Sequence, residues 1–181
     1  MKICLDPGHG GSDPGAIGTI PFKLEEKEIN LSISKFLEEN LEVLVHWVAM
    51  TRRRDSFVSL EARSVFANQH EADLFVSIHT NSFFSPAVNG IEVYHALGSG
   101  KGKTLAENIL ESLMSSFPNH KNRGVKAGNL KVLKETKMPA VLVEVEFLSN
   151  PDQLRFLADE NNRQLIASAI SNGIEKFIFS L

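Results

Sequence analysis

Two stretches of this chain, Leu74-Phe-Val-Ser-Ile78 and Ala140-Val-Leu-Val143, are almost wholly apolar on both alternation faces, and this constrains the fold more than any other feature. A strand of that kind has to be covered on both sides, which happens in parallel sheets sandwiched between helices. Ile3-Cys-Leu5 is a third such run, broken by Pro7-Gly8. Between these runs the apolar spacing turns helical: Ile29, Ile33, Phe36 and Leu37; a segment from about Ser59 to Gln69; Leu105, Ile109, Leu113 and Phe117; and a final Ile166, Ile170, Ile174, Phe177 stripe. Strands alternating with helices predict an α/β fold: a three-layer domain with a twisted, mostly parallel central sheet of about six strands, residues 1–181 forming one domain. Val43–Met50 reads as a second strand and Gly90–His95 as a more polar one near an edge. Val132-Leu133 is the best strand candidate between Asn122 and Glu135, and Asn150-Pro151 marks a helix start.

Charge and cysteine content remove several function classes. A formal charge of -3 leaves no footprint for nucleic acid. The one dense basic run, Arg52-Arg53-Arg54, is followed at once by Asp55 and reads as a solvated strand end or loop. The single cysteine, Cys4, lies inside an apolar run, so its expected role is that of a small buried hydrophobe. No run approaches the roughly 18 apolar residues that span a bilayer, so no membrane partner is expected. The start of the chain lacks a signal-peptide pattern, which implies either a cytoplasmic product or a domain cut from an exported protein.

The chemistry concentrates at strand ends. His9 follows the first strand within Asp6-Pro-Gly-His-Gly-Gly-Ser-Asp-Pro-Gly15, and His79 closes the Asp73–His79 strand. Glu26 lies three and seven residues before Ile29 and Ile33, which puts it on the buried face at the start of its helix, whereas Glu28 points about 200° away. In such folds ligands bind beyond the carboxyl ends of the strands, where these three side chains can converge. Two imidazoles and a carboxylate, with one position open, suit a catalytic zinc ion. Alternation along Ala140–Phe147 puts Leu142, Glu144 and Glu146 on one face. Two carboxylates inside a buried strand are costly unless they meet a cation, either arginines such as Arg63 or Arg123 or a metal beside which one of them moves protons.

These residues resemble a known family. Asp6–Ala16, Glu26-Lys-Glu-Ile-Asn-Leu31, Thr51-Arg52 with Asp55, Leu60 and Arg63, Ala67-Asn68, Ser77-Ile-His-Thr-Asn81, and Met138-Pro-Ala-Val-Leu-Val-Glu144 followed by Phe147-Leu-Ser-Asn150 look like the zinc-dependent N-acetylmuramoyl-L-alanine amidases of the Amidase_3 type, in order and over nearly the whole chain. The resemblance implies a hydrolase with one zinc ion on His9, Glu26 and His79, and Glu144 as the catalytic acid/base. It implies peptidoglycan as the partner, cleaved between N-acetylmuramic acid and L-alanine. The setting is then the bacterial cell wall, as an autolysin or an endolysin, with a wall-binding module elsewhere if this is an excised domain. The family usually has a glycine where this chain has Glu146. On the expected alternation Glu146 stands about 6–7 Å from Glu144 on the same face, so it is a candidate substrate contact. Asn81, beside His79, is another, although it equally suits a structural turn. No long insertion separates His79 from Glu144, so an open cleft is expected. The rival readings are a zinc carboxypeptidase acting within the stem peptide and a non-catalytic peptidoglycan-binding module.

Overall fold

A computed structural model describes residues 1–181. Six strands form one sheet: β1 (Lys2–Pro7), β4 (Trp47–Met50), β5 (Leu74–Asn81), β6 (Ile91–Ala96), β7 (Asn122–Gly128) and β8 (Ala140–Phe147), in the order β4-β1-β5-β8-β6-β7. All neighbours are parallel except β6 and β8, which run antiparallel. A two-residue ribbon, β2 (Ile17–Gly18) with β3 (Leu24–Glu25), lies between β1 and α1 (Glu26–Val43). The other helices are α2 (Leu60–Gln69), α3 (Gly100–Ser116), the single turn α4 (Lys131–Lys134), α5 (Pro151–Ala158) and α6 (Glu160–Phe179). This is the expected three-layer arrangement.

The two sheet faces are covered unequally. On one, Ile3, Leu5, Val76, Ile78, Val141 and Val143 meet α1, α3 and α6 in a core of 31 buried residues. Helix α1 presents Ile29, Ile33, Leu37 and Leu41 to it at helical spacing, all essentially fully buried. Each such side chain contributes roughly 1.5–3 kcal/mol of apolar burial, so Ile33→Ala would cost about 2–5 kcal/mol. On the other face only α2 and α4 pack, around Cys4, Phe75, Ala140 and Leu142. The part they leave uncovered is where the polar residues of β5, β6 and β8 come to the surface.

Local sequence explains most of the boundaries. Ser59 caps α2 by accepting from the Ala62 N–H, and Asn150 caps α5 by accepting from the Asp152 and Gln153 N–H groups, with Pro151 in the first turn. Two boundaries differ from the sequence reading. Helix α1 runs through Val43, so the strand starts only at Trp47, after Val45 makes a left-handed turn at φ 64°. Val132 and Leu133 belong to the turn α4 and not to a strand; the strand of that region is the polar β7, which forms the edge and leaves β6 one place inside it. Cys4 is fully buried, as its apolar neighbours require. No helix is long and apolar enough to cross a membrane.

Candidate active site

The carboxyl ends of β1, β5 and β8 deliver the site. His9 sits two residues beyond β1, His79 is two residues before the end of β5, and Glu26 opens α1. The ligand-type atoms of these three residues all lie within 4.8 Å of one another. His9 Nε2 stands 3.3 Å from Glu26 Oε2, and His79 Nδ1 is 2.9 Å from Glu26 Oε1. Glu26 is buried, and its carboxylate also accepts from the N–H groups of Ala16 and Thr80 and from Asn30 Nδ2. The burial cost of that charge is therefore met by many donors.

The loop that holds His9 is clamped from below by buried arginines. Asp6, fully buried, accepts from Arg63 at 2.7 Å, Thr51 Oγ1 at 2.6 Å and Ser77 Oγ at 2.7 Å. Arg63 also donates to the carbonyls of Pro7 and His9, and Arg52 to those of Pro7, Gly8 and Lys27. Arg52, expected at a solvated strand end, is instead only 4% exposed. Burial, with Arg63 nearby, pushes its pKa down to about 10, which leaves it charged at neutral pH. His9 itself is left-handed, φ 60°, a conformation a non-glycine residue holds only when its surroundings fix it. The fixing bond is visible: Asp13 Oδ2 lies 2.8 Å from His9 Nδ1, which turns Nε2 toward Glu26.

Two glycines make room for the rings. A Cβ at Gly8 would fall on the His79 imidazole, and one at Gly15, where φ is +66°, would stand 2.6 Å from His9 Cδ2. These glycines serve the packing of the imidazoles themselves.

Electrostatics bind the three groups into one unit. Burial opposes the charged form of His9, but the bonds and charge of Glu26, and then of Asp13, outweigh it and hold the imidazole up at about 9. For His79 burial likewise disfavours charge, and Glu26 with Glu144 nevertheless raises it. Burial would raise Glu26, but His79 and His9 hold it well below the usual carboxylate range. Two neutral imidazole nitrogens and one carboxylate oxygen, clustered and anchored from behind by Asp13 and backbone N–H groups, fit a zinc ion.

Glu144 pairs in register with His79 across β5 and β8. Neither arginine considered for it is its partner: Arg63 is taken by Asp6, and Arg123 by Glu92. Glu144 Oε2 is buried without any hydrogen-bond partner. Burial raises its pKa to about 7; His79 opposes that rise, and Glu26 and Glu92 add to it. A carboxyl that is unpaired and poised near neutrality beside a donor cluster is the form a proton-transferring group takes.

Glu146 is not on that face, and the expectation that it contacts substrate is corrected. The β5–β8 register shifts between His79 and Asn81, and Glu146 sits in this bulge at φ 66°. The bulge turns its side chain into the opposite layer. There it is fully buried, 2.7 Å from His120 Nδ1, and accepts from the Gly90 N–H at 2.7 Å. A left-handed backbone is what a glycine would supply at no cost. Asn81 does reach the cleft, yet its amide donates to Glu92 and its carbonyl oxygen accepts from the Ser82 N–H, so both ends already have partners.

The sequence reading missed Glu92. It lies opposite Glu144 on β6, is 2% exposed, and accepts from Arg123, Lys126, Tyr94 and Asn81. Burial would raise its carboxyl, but Lys126 and Arg123 keep it low. The signal was the same as for Glu144, an acid among the apolar residues of a strand. Around these groups opens a cleft of about 640 Å³, with His9, His79 and Glu144 at its floor and Phe57, Tyr94 and Leu130 among its walls.

The chain as a whole is similar to known proteins. The family model Amidase_3, described as N-acetylmuramoyl-L-alanine amidase, matches residues 3–176. The probable cell wall amidase LytH of Staphylococcus epidermidis is 38% identical over 178 residues, covering 98% of this chain and 58% of that protein. The chain thus spans a little over half the length of that relative. Among solved structures, the catalytic domain of CwlV, an N-acetylmuramoyl-L-alanine amidase from Bacillus (Paenibacillus) polymyxa var. colistinus, superposes with a TM-score of 0.92 at 36% identity, over 98% of each chain. An N-acetylmuramoyl-L-alanine amidase of Clostridium difficile 630 superposes with a TM-score of 0.95 at 31% identity, covering 99% of this chain and 97% of the other.

Proposed function

Since the chain belongs to the Amidase_3 family of N-acetylmuramoyl-L-alanine amidases, we propose that it hydrolyses the amide between N-acetylmuramic acid and L-alanine of bacterial peptidoglycan, acting at the cell wall with one zinc ion. The observation that carries this reading is the juxtaposition of the His9, Glu26 and His79 cluster with Glu144 on the next strand, whose Oε2 is buried without a hydrogen-bond partner. His9, Glu26 and His79 would hold the metal, which when bound polarises the scissile carbonyl and lowers the pKa of water. Asp13 orients His9, and the amide donors on Glu26 keep its carboxylate facing the two rings.

Glu144 takes a proton from the attacking water and returns it to the alanine nitrogen as the C–N bond breaks. Its strand neighbours leave no donor on Oε2, so both proton transfers have a free oxygen to use. Phe57 and Tyr94 offer apolar surface to the substrate along the cleft.

Digesting purified peptidoglycan and labelling the newly formed amino termini tests the proposal. Free L-alanine amino termini are expected. Release of D-amino acids without new L-alanine termini would identify a carboxypeptidase and overturn it. Wall binding with no new terminus, unchanged in Glu144→Gln, would point to a binding module.

A further inference from the structure

Resting on the amidase reading above, we propose that the β6–β7 side of the cleft is a carboxylate-binding subsite, in which Lys126 and Lys131 select a stem peptide whose residue after L-alanine carries a free carboxylate.

The direction of the substrate follows from the sheet order. The His9, Glu26 and His79 cluster lies toward β1 and β5, and Glu144 stands on β8, one strand further along. The attacked carbonyl belongs to the glycan, and the leaving nitrogen must face the group that protonates it, Glu144. The peptide therefore runs away from the cluster, across β6 toward β7.

Charge is distributed to match. Residues 121–137, which make β7 and α4, contain six basic residues and one acid, in a chain whose formal charge is -3. Glu92 offers one carboxylate to two cations there, Lys126 at 2.6 Å and Arg123 at 2.7 Å. Lys126 remains 37% exposed. Lys131 lines the cleft, is 44% exposed, and has only Glu135 near it, at 3.8 Å, beyond hydrogen-bond length. Glu135 is the one acid in this stretch, so a net positive charge remains.

The reach is also right. Lys126 stands on β7, two strand spacings or about 10 Å from β8, and its Nζ reaches back to Glu92, the cross-strand partner of Glu144. Two residues of extended peptide cover about 7 Å from the cleaved nitrogen. A carboxylate on the second residue thus arrives where a half-buried ammonium is already oriented by Glu92 and packed over the Tyr94 ring at 5.5 Å. A carboxamide in the same place brings no charge to it.

The test compares kcat/KM on two synthetic substrates, N-acetylmuramoyl-L-alanyl-D-glutamyl peptides that differ only in a free α-carboxylate or an α-carboxamide on the glutamate. The wild-type protein should prefer the carboxylate by about tenfold or more. In the Lys126→Gln, Lys131→Gln double variant that ratio should fall below about twofold, and Lys131→Glu alone should push it toward the carboxamide. Lys126→Arg should retain the preference, which a loss through misfolding or a disturbed Glu144 would not allow. Equal cleavage of both substrates by the wild type, or a ratio untouched by these variants, overturns the subsite and leaves the amidase standing. Failure to cleave either substrate overturns the amidase reading on which it rests.

Discussion

Replacing Glu144 by Gln should stabilise the metal-free protein, by an amount that grows as pH rises from 4.5 to about 7. Burial has moved this carboxyl from the ordinary value of 4.5 to about 7, with no hydrogen bond to Oε2 to offset the loss of water. The folded protein binds the proton more tightly than the unfolded chain does, so stability is lost as pH rises between these two values and stays lost above them. That difference corresponds to about 3 kcal/mol at full ionisation. Glutamine has the same shape and never carries the charge. The difference between variant and wild type should thus be near zero at pH 4, grow through pH 5–7, and level off at about 3 kcal/mol near pH 8. Urea unfolding in the presence of a chelator measures it; with a slope of about 2 kcal/mol/M, the midpoint should move up by about 1.5 M at pH 8. Adding zinc should shrink the gap, because a cation nearby favours the carboxylate. The same substitution should cut amide hydrolysis by about 10²–10⁴-fold. A difference independent of pH, or a variant less stable than wild type at pH 8, would refute the idea that Glu144 sits unpaired at an energetic cost.

Other substitutions probe the supports of the site. Asp13→Asn should weaken zinc binding by about 10–100-fold in a competition titration with a chelating dye, because it loosens the bond that orients His9. Arg63→Ala leaves Asp6 buried and unpaired and frees the carbonyls of Pro7 and His9, so urea unfolding should show a loss of about 3–5 kcal/mol. Glu146→Ala should be less stable than Glu146→Gly by about 1 kcal/mol, since both lose the His120 and Gly90 bonds but only glycine relaxes at φ 66°; the reverse order in thermal unfolding would contradict the account of the bulge.

The fold was legible because its central strands are apolar on both faces, and only a helix-covered parallel sheet tolerates that. His9, Glu26 and His79 were legible for a related reason, since strand ends and the first turn of the next helix converge at one edge. What stayed hidden depends on partners far away in sequence. Arg52 looks like surface in a run of three arginines, and its burial is made possible by the carbonyls of Pro7, Gly8 and Lys27. The bulge at Glu146 leaves no trace in the alternation of Val141 to Phe147, so the pattern put its side chain on the wrong face. Strand β7, Asn-Arg-Gly-Val-Lys-Ala-Gly, is an edge strand whose side chains serve Glu92 and solvent more than the core, which erased its periodicity.

The central claim is that His9, Glu26 and His79 share one cation, and the zinc content of the purified protein tests it most directly. Elemental analysis after dialysis against zinc and then against buffer should find about one equivalent per chain in the wild type and almost none in His79→Ala, at equal folded content by circular dichroism. Less than about half an equivalent in the wild type, not restored by added zinc, or full retention by His79→Ala, would contradict it.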